Sequence, residues 1–168
     1  MFTCPCSSIW QSPILRVGGL RMNREKEHEE RLGEDIHAQA WTYVQETGEL
    51  QQDGHHVANG YSGAGAGKNN SAMETVSNVG PIPRGDWRIA GPPINTAEHG
   101  PYVLALEPAA ETQTFGRSGF LMHGDSVQSP GSASHGCVIM PRAVREQVWG
   151  SGDRALEVIA EIPTDDKK

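Results

Sequence analysis

Residues Phe120–Pro141 read FLMHGDSVQSPGSASHGCVIMP, and the chemistry and fold of the whole chain follow from how this stretch is read. Its opening alternates: Phe120 and Met122 fall on one side of an extended strand, Leu121 and His123 on the other, so the strand delivers an imidazole to its end. Fourteen residues after His123 comes a thiol, Cys137, directly behind His135 and Gly136. A cysteine attacks a carbonyl as thiolate, and an ordinary pKa of about 8.5 leaves few thiolates at neutral pH unless a nearby imidazole takes the proton. His123 and His135 are the candidate bases. The acid–base role falls to His123, because a strand-end imidazole approaches the thiol from the side, whereas His135 is tethered two residues away along the same turn. Gly136 lacks a Cβ, so consecutive backbone N–H groups there can turn toward one point and stabilise a tetrahedral oxyanion. An isolated cysteine is more often a buried, inert thiol. The Ser-His-Gly-Cys run with a His-Gly pair upstream separates Cys137 from that class and describes an acyl-transfer site.

Outward from this stretch, short alternating segments recur. Tyr102, Leu104 and Leu106 share one face; Trp87 and Ile89 alternate with Asp86 and Arg88 after a bend pinned by Pro81 and Pro83; Trp41–Gln45 opens a hairpin that turns at Thr47-Gly48. Asp53-Gly54 makes a second turn before a strand over Val57–Tyr61, and His55-His56 reads as part of that solvated turn. The glycine-rich run Ser62–Gly67 is not a phosphate loop, since Ser62 and Asn69 stand where a glycine and a Ser or Thr are required. It reads instead as a bend with close backbone approach that lines a substrate groove. Downstream, Pro141 opens a helix in which Val144 and Val148 share a face, and Gly150 to Gly152 stop it. Leu156, Val158, Ala160 and Ile162 alternate as a last strand. The sum is a mainly β single domain with one short helix after the cysteine.

His123-Gly124, then Ser134-His135-Gly136-Cys137-Val138, then Met140-Pro141 resemble the signature of the YkuD-type L,D-transpeptidases. Upstream GYSGAGAGKNN (60–70), VGPIPRGDW (79–87), HGPYVLAL (99–106) and FGRSGF (115–120) occur in an order similar to the small effector branch of that superfamily, the L,D-transpeptidase-like toxins of type VI secretion. The resemblance runs from about Trp41 to Ile162 and implies a β-sandwich-like catalytic domain. Two features depart from the superfamily: the gap between the first histidine and the cysteine motif is shorter, and Ile139 stands where Arg or Asn is usual. The implied substrate is the stem peptide of peptidoglycan, cleaved between the L-centre of meso-diaminopimelate and terminal D-Ala. Water, another stem's amine or a free D-amino acid would then resolve the acyl-enzyme as carboxypeptidase, crosslinking or exchange. Cys137, His123 and His135 are the catalytic candidates, Gly136 the oxyanion position, and Gly124, Asp125, Ser126, Ser134 and Tyr61 the candidate substrate contacts. A cognate immunity protein and a secretion apparatus are the implied partners, with no cofactor and no metal. A prophage or housekeeping cell-wall enzyme, and a non-catalytic wall-binding module, are the alternatives.

Composition bounds the remainder. A chain of 168 residues suits one domain, and Gly 20 with Pro 11 favours a turn-rich β protein. A net charge of −7 without a basic stripe excludes a nucleic-acid backbone as partner. Three cysteines leave at least one thiol free, and Cys4-Pro5-Cys6 lacks the second ligand pair that a zinc site needs. No apolar run reaches a membrane span, and the first residues lack signal-peptide anatomy. Residues 1–39, with the mixed-charge segment NREKEHEERLGED (23–35), read as a charged leader, flexible or helical; 40–163 as the catalytic domain of a monomer; 164–168 as a polar tail. Such a protein is expected to be made in the cytoplasm and to act in the periplasm or cell wall of a target cell.

Overall fold

Asp53 and Gly54 both take positive φ, 52° and 74°. That pair builds the two-residue turn whose twist matches its flanking strands, so Asp-Gly joins β2 (Glu49–Gln52) to β3 (His55–Asn59) as a tight hairpin. This computed structural model describes residues 41–163. The expectations for the 1–39 leader, for Cys4 and Cys6 and for the 164–168 tail lie outside the described residues. The remaining strands are β1 (Trp41–Val44), β4 (Tyr61–Ser62), β5 (Gly85–Thr96), β6 (Gly100–Pro108), β7 (Leu121–His123), β8 (Val138–Ile139) and β9 (Ala155–Ile159), with one α-helix, α1 (Arg142–Gly150), between the last two.

All nine strands form one sheet in the order β3-β2-β1-β9-β5-β6-β7-β8-β4. The pairs β1/β9 and β7/β8 are parallel and the others antiparallel. Its two edge strands, β3 and β4, are separated in sequence by Gly60 alone, so the sheet bends back until its opposite edges meet. The closure is tight at that residue: a Cβ on Gly60 would lie 1.9 Å from the Ile139 carbonyl oxygen. Among the described residues a mainly β domain with one α-helix is therefore what forms, the sandwich-like layering coming from one sheet folded over rather than from two. Trp41, Tyr43, Leu50, Leu104, Met122 and Leu156 fill the space between the layers. Helix α1 contributes Val148 to this core, with Val144 packed against it, and Pro141 stands at its N-cap.

Several element boundaries differ from the sequence expectation. The strand over Val57–Tyr61 is broken at Gly60, because the chain crosses there from one edge of the sheet to the other. His55 and His56 belong to β3 rather than to a loop, exposed, with His56 Nδ1 3.2 Å from Glu49 Oε1 across the hairpin. Of Tyr102, Leu104 and Leu106, the two leucines are buried in the core and Tyr102 packs against it half-buried. Tyr102 has φ 59° and Val103 is also fully buried, since the β5–β6 register shifts around Gly91-Pro92-Pro93. The last strand ends at Ile159, leaving Ile162 44% exposed.

Candidate active site

Strands β7 and β8 run side by side, pairing Met122 with Val138 and His123 with Ile139. Met122 and Val138 enter the core. Side chains alternate across a strand, so Leu121, His123 and Ile139 face the other way. Carried one residue back, the same register sets Cys137 beside Leu121, on the face that carries His123 and one diagonal step from it. Cys137 and His123 line one cleft of about 480 Å³, together with His99, Arg117, Gly119 and His135.

The protonation states follow from the surroundings. Burial pushes the Cys137 thiol up, partly opposed by the Leu121 N–H and the Arg117 cation. Burial pushes His123 below the usual imidazole value; the Gly124 carbonyl works against this, while His99 and Arg145 add to it. At neutral pH the pair therefore rests as thiol and neutral imidazole. His123 Nδ1 lies 2.8 Å from the Gly124 carbonyl oxygen. A carbonyl only accepts, so Nδ1 carries the hydrogen and Nε2 keeps the lone pair that a general base needs. On one flank the His99 ring packs 4.5 Å from the His123 ring, centroid to centroid. His135 is exposed at the rim of the cleft.

The glycine-rich run does not line this cleft; it backs the loop that carries Cys137. Ser62 Oγ donates to the Gly136 carbonyl at 3.1 Å and accepts from Ile82 N at 2.8 Å. Ser134, fully buried, donates to the Cys137 carbonyl at 2.6 Å and accepts from Gly63 N at 2.9 Å and Gly136 N at 3.1 Å. Its hydroxyl is thus engaged by the loop itself. The Gly136 N–H is engaged likewise, donating to the Ser134 hydroxyl. At φ 126° the Gly136 backbone is in the region that favours glycine, and a built Cβ would stand only 2.0 Å from Arg117 Nη2. Gly124 is the counterpart on β7's end, where a Cβ would meet Arg145 Nη2 at 3.1 Å. Both His-Gly pairs are seats for a guanidinium.

The other candidate substrate contacts assemble beside the cleft, not in it. Asp125 accepts from Tyr61 OH at 2.5 Å, Ser126 N at 2.8 Å and Gly131 N at 2.7 Å. Lys68 covers the Tyr61 ring at 3.9 Å and donates to the Gly131 carbonyl. Burial raises the Asp125 carboxyl, but these donors outweigh it and hold the group below its ordinary value. Tyr61 is pushed up to about 12 by burial and by its bond to Asp125. The cluster latches the 125–133 loop, and Tyr61, Gly124 and Asp125 line a smaller cavity of about 270 Å³ with Arg142. Ser126 Oγ accepts from Ser129 N within the loop. Ile139, where a polar residue is usual, is buried between His123 and Tyr61 in the sheet.

Sequence reasoning missed three side chains around the thiol and imidazole: His99, Arg117 and Arg145. Their only trace was their place in the blocks 99–106 and 115–120 and one turn into the helix. A family model for the Tlde1 domain matches residues 56–158, more than half of the chain and all of the cleft described above. The chain belongs to the Tlde1 domain family. Tlde1 domains are type VI secretion effectors of L,D-transpeptidase type, an enzymatic family that acts on peptidoglycan. No curated protein matches the chain. The Tlde1 match begins inside β3 and ends inside β9, leaving β1 and β2 outside it although they complete the sheet.

Proposed function

We propose that this Tlde1 domain carries out cysteine-dependent acyl transfer on peptidoglycan stem peptides, at the bond between diaminopimelate and terminal D-Ala. The observation that carries the reading is the His123 tautomer: Nδ1 bonded to the Gly124 carbonyl leaves a basic Nε2 on the sheet face that bears Cys137. His123 Nε2 takes the thiol proton as Sγ attacks the carbonyl. The tetrahedral intermediate collapses, the C–N bond breaks, and the imidazolium returns its proton to the leaving D-Ala amine. A thioester on Cys137 remains. Water, a second stem's amine or a free D-amino acid then attacks it with His123 again as base, giving a trimmed tripeptide, a crosslink or an exchanged terminus. The cleft is open to solvent on the side of His135 and Glu98, which supports hydrolysis as the default outcome. Removing tetrapeptides from a growing wall starves its crosslinking, an activity suited to an antibacterial effector acting in the periplasm of a target cell.

Mass spectrometry of purified muropeptides after incubation with the protein tests this directly, because it reports bond, reaction and acceptor together. D-Ala release from tetrapeptides, falling below about 1% of wild type in Cys137→Ala, is the expected result. Unchanged tetrapeptides with the wild-type protein, or release that survives Cys137→Ala, would overturn it.

A further inference from the structure

Burial disfavours a thiolate on Cys137, and until His123 has taken the proton its ring carries no charge, so a standing cation beside the sulfur favours ionisation. The cleft contains one fixed cation. Arg117 Nη1 donates to the carbonyls of Glu74 at 2.8 Å and Pro81 at 2.9 Å, and Nη2 to that of Gly80 at 3.0 Å. These three bonds lock the guanidinium to the 74–81 segment, and the Phe120 ring lies 5.0 Å beneath it. Carbonyls hold a cation without neutralising it, and Arg117 joins no ion pair among the described residues. Its open side meets Gly136, where a Cβ would stand 2.0 Å from Nη2. The charged and titratable groups facing Cys137 are then Arg117 from the 115–120 segment, His123 from β7, His135 from its own loop, and His99 with Glu98 across the cleft. Glu98 is the one carboxylate among them, its side chain 85% exposed.

We propose that Arg117 is a positioning residue for the acyl-transfer step, a standing cation held against Gly136 to balance the negative charge that develops on Cys137. This assignment rests on Cys137 being the nucleophile. It accounts for the glycine before the cysteine in this chain and for the hold on Arg117 by carbonyl oxygens: the Glu74 carboxylate that also acts on Arg117 is itself paired with Arg84.

The test is alkylation of Cys137 by iodoacetamide as a function of pH, which reads the thiolate whether or not any muropeptide is turned over. In Arg117→Gln the pH midpoint rises by about one unit, the lower end of what an adjacent opposite charge contributes, and kcat falls while KM stays near wild type. Arg117→Lys recovers part of the midpoint, since the charge remains while the fork that reaches three carbonyls is lost. A folded Arg117→Gln protein with the wild-type midpoint overturns the proposal. Should that variant not fold, wild-type protein at pH 8, where His123 is neutral, decides it by comparing anionic iodoacetate with iodoacetamide. A cation beside the sulfur makes the iodoacetate-to-iodoacetamide rate ratio higher than for N-acetylcysteine; an equal or lower ratio overturns the proposal. Loss of peptidoglycan activity with normal alkylation behaviour would count against the proposed function and leave the role of Arg117 standing.

Discussion

Among the described histidines, His123 is the one whose Nδ1 bonds the carbonyl of the next residue. Because burial holds its pKa below the ordinary value near 6.5, the base is already deprotonated at neutral pH. The expected pH profile of kcat/KM therefore has its acid limb below 6.5, activity falling only as His123 becomes protonated; a limb above pH 7 would show that a different group is the base. His123→Ala slows acylation by about 10² or more, the scale of a positioned base. His135→Ala costs much less, because that ring stands exposed at the rim. Stopped-flow or quenched acylation with both variants checks the ordering, and a larger loss in His135→Ala would reverse the two roles. That His123 is a candidate base was legible in the alternation of residues 120–123. Its tautomer was not, because the partner is a backbone atom with no signature in sequence.

At the scale of elements, the catalytic loop is held from behind by residues far away in the chain. Ser62 and Gly136 are bonded across 74 positions, Gly63 and Ser134 across 71. The residue that brings them together is Gly60, which joins the two edges of the sheet. Gly60→Ala would drive a methyl into the Ile139 carbonyl, and overpacking of this kind costs about 1–3 kcal/mol. Urea denaturation is expected to show that loss; an unchanged midpoint would mean that the edges separate at little cost. The glycine-rich run announced close backbone approach, and that is its role. The side on which it approached, behind the loop rather than along the groove, was hidden because glycines mark a tight place without saying which surface fills it.

Across the whole molecule, stability follows the same charges. His123 has a folded-state pKa below its unfolded one, so the unfolded chain binds more protons beneath pH 6.5 and stability falls from there as pH is lowered. Glu74 and Asp125 are also held below their ordinary values: burial opposes ionisation, but Arg84 and Gln45 at the first, and Tyr61 with two amides at the second, outweigh it. Carboxylates with depressed pKa stabilise above their unfolded values near 4 and lose that contribution as pH falls through the folded ones. Thermal unfolding monitored by circular dichroism is expected to show Tm dropping in two stages, one beginning below pH 6.5 and a steeper one below pH 4.5. In His123→Phe the first stage disappears and the second stays; a first stage that persists would assign it elsewhere.

What the sequence determined by itself was local chemistry and local period: the thiol with its two histidines, the strand that delivers His123, the turn at Asp53-Gly54, the helix after Pro141, and hence a mainly β domain with one helix. Each of these is written within a few consecutive residues, through alternation, φ preference or side-chain reactivity. Only the tertiary structure decided what the glycines of the two His-Gly pairs admit, that Ser134 braces the loop, that Tyr61 and Asp125 form a latch, and that Arg117 and His99 reach the cleft. Those facts depend on how a single sheet closes on itself. Closure brings together side chains dozens of residues apart, at distances set by backbone packing, and such pairings leave no periodic trace in the chain.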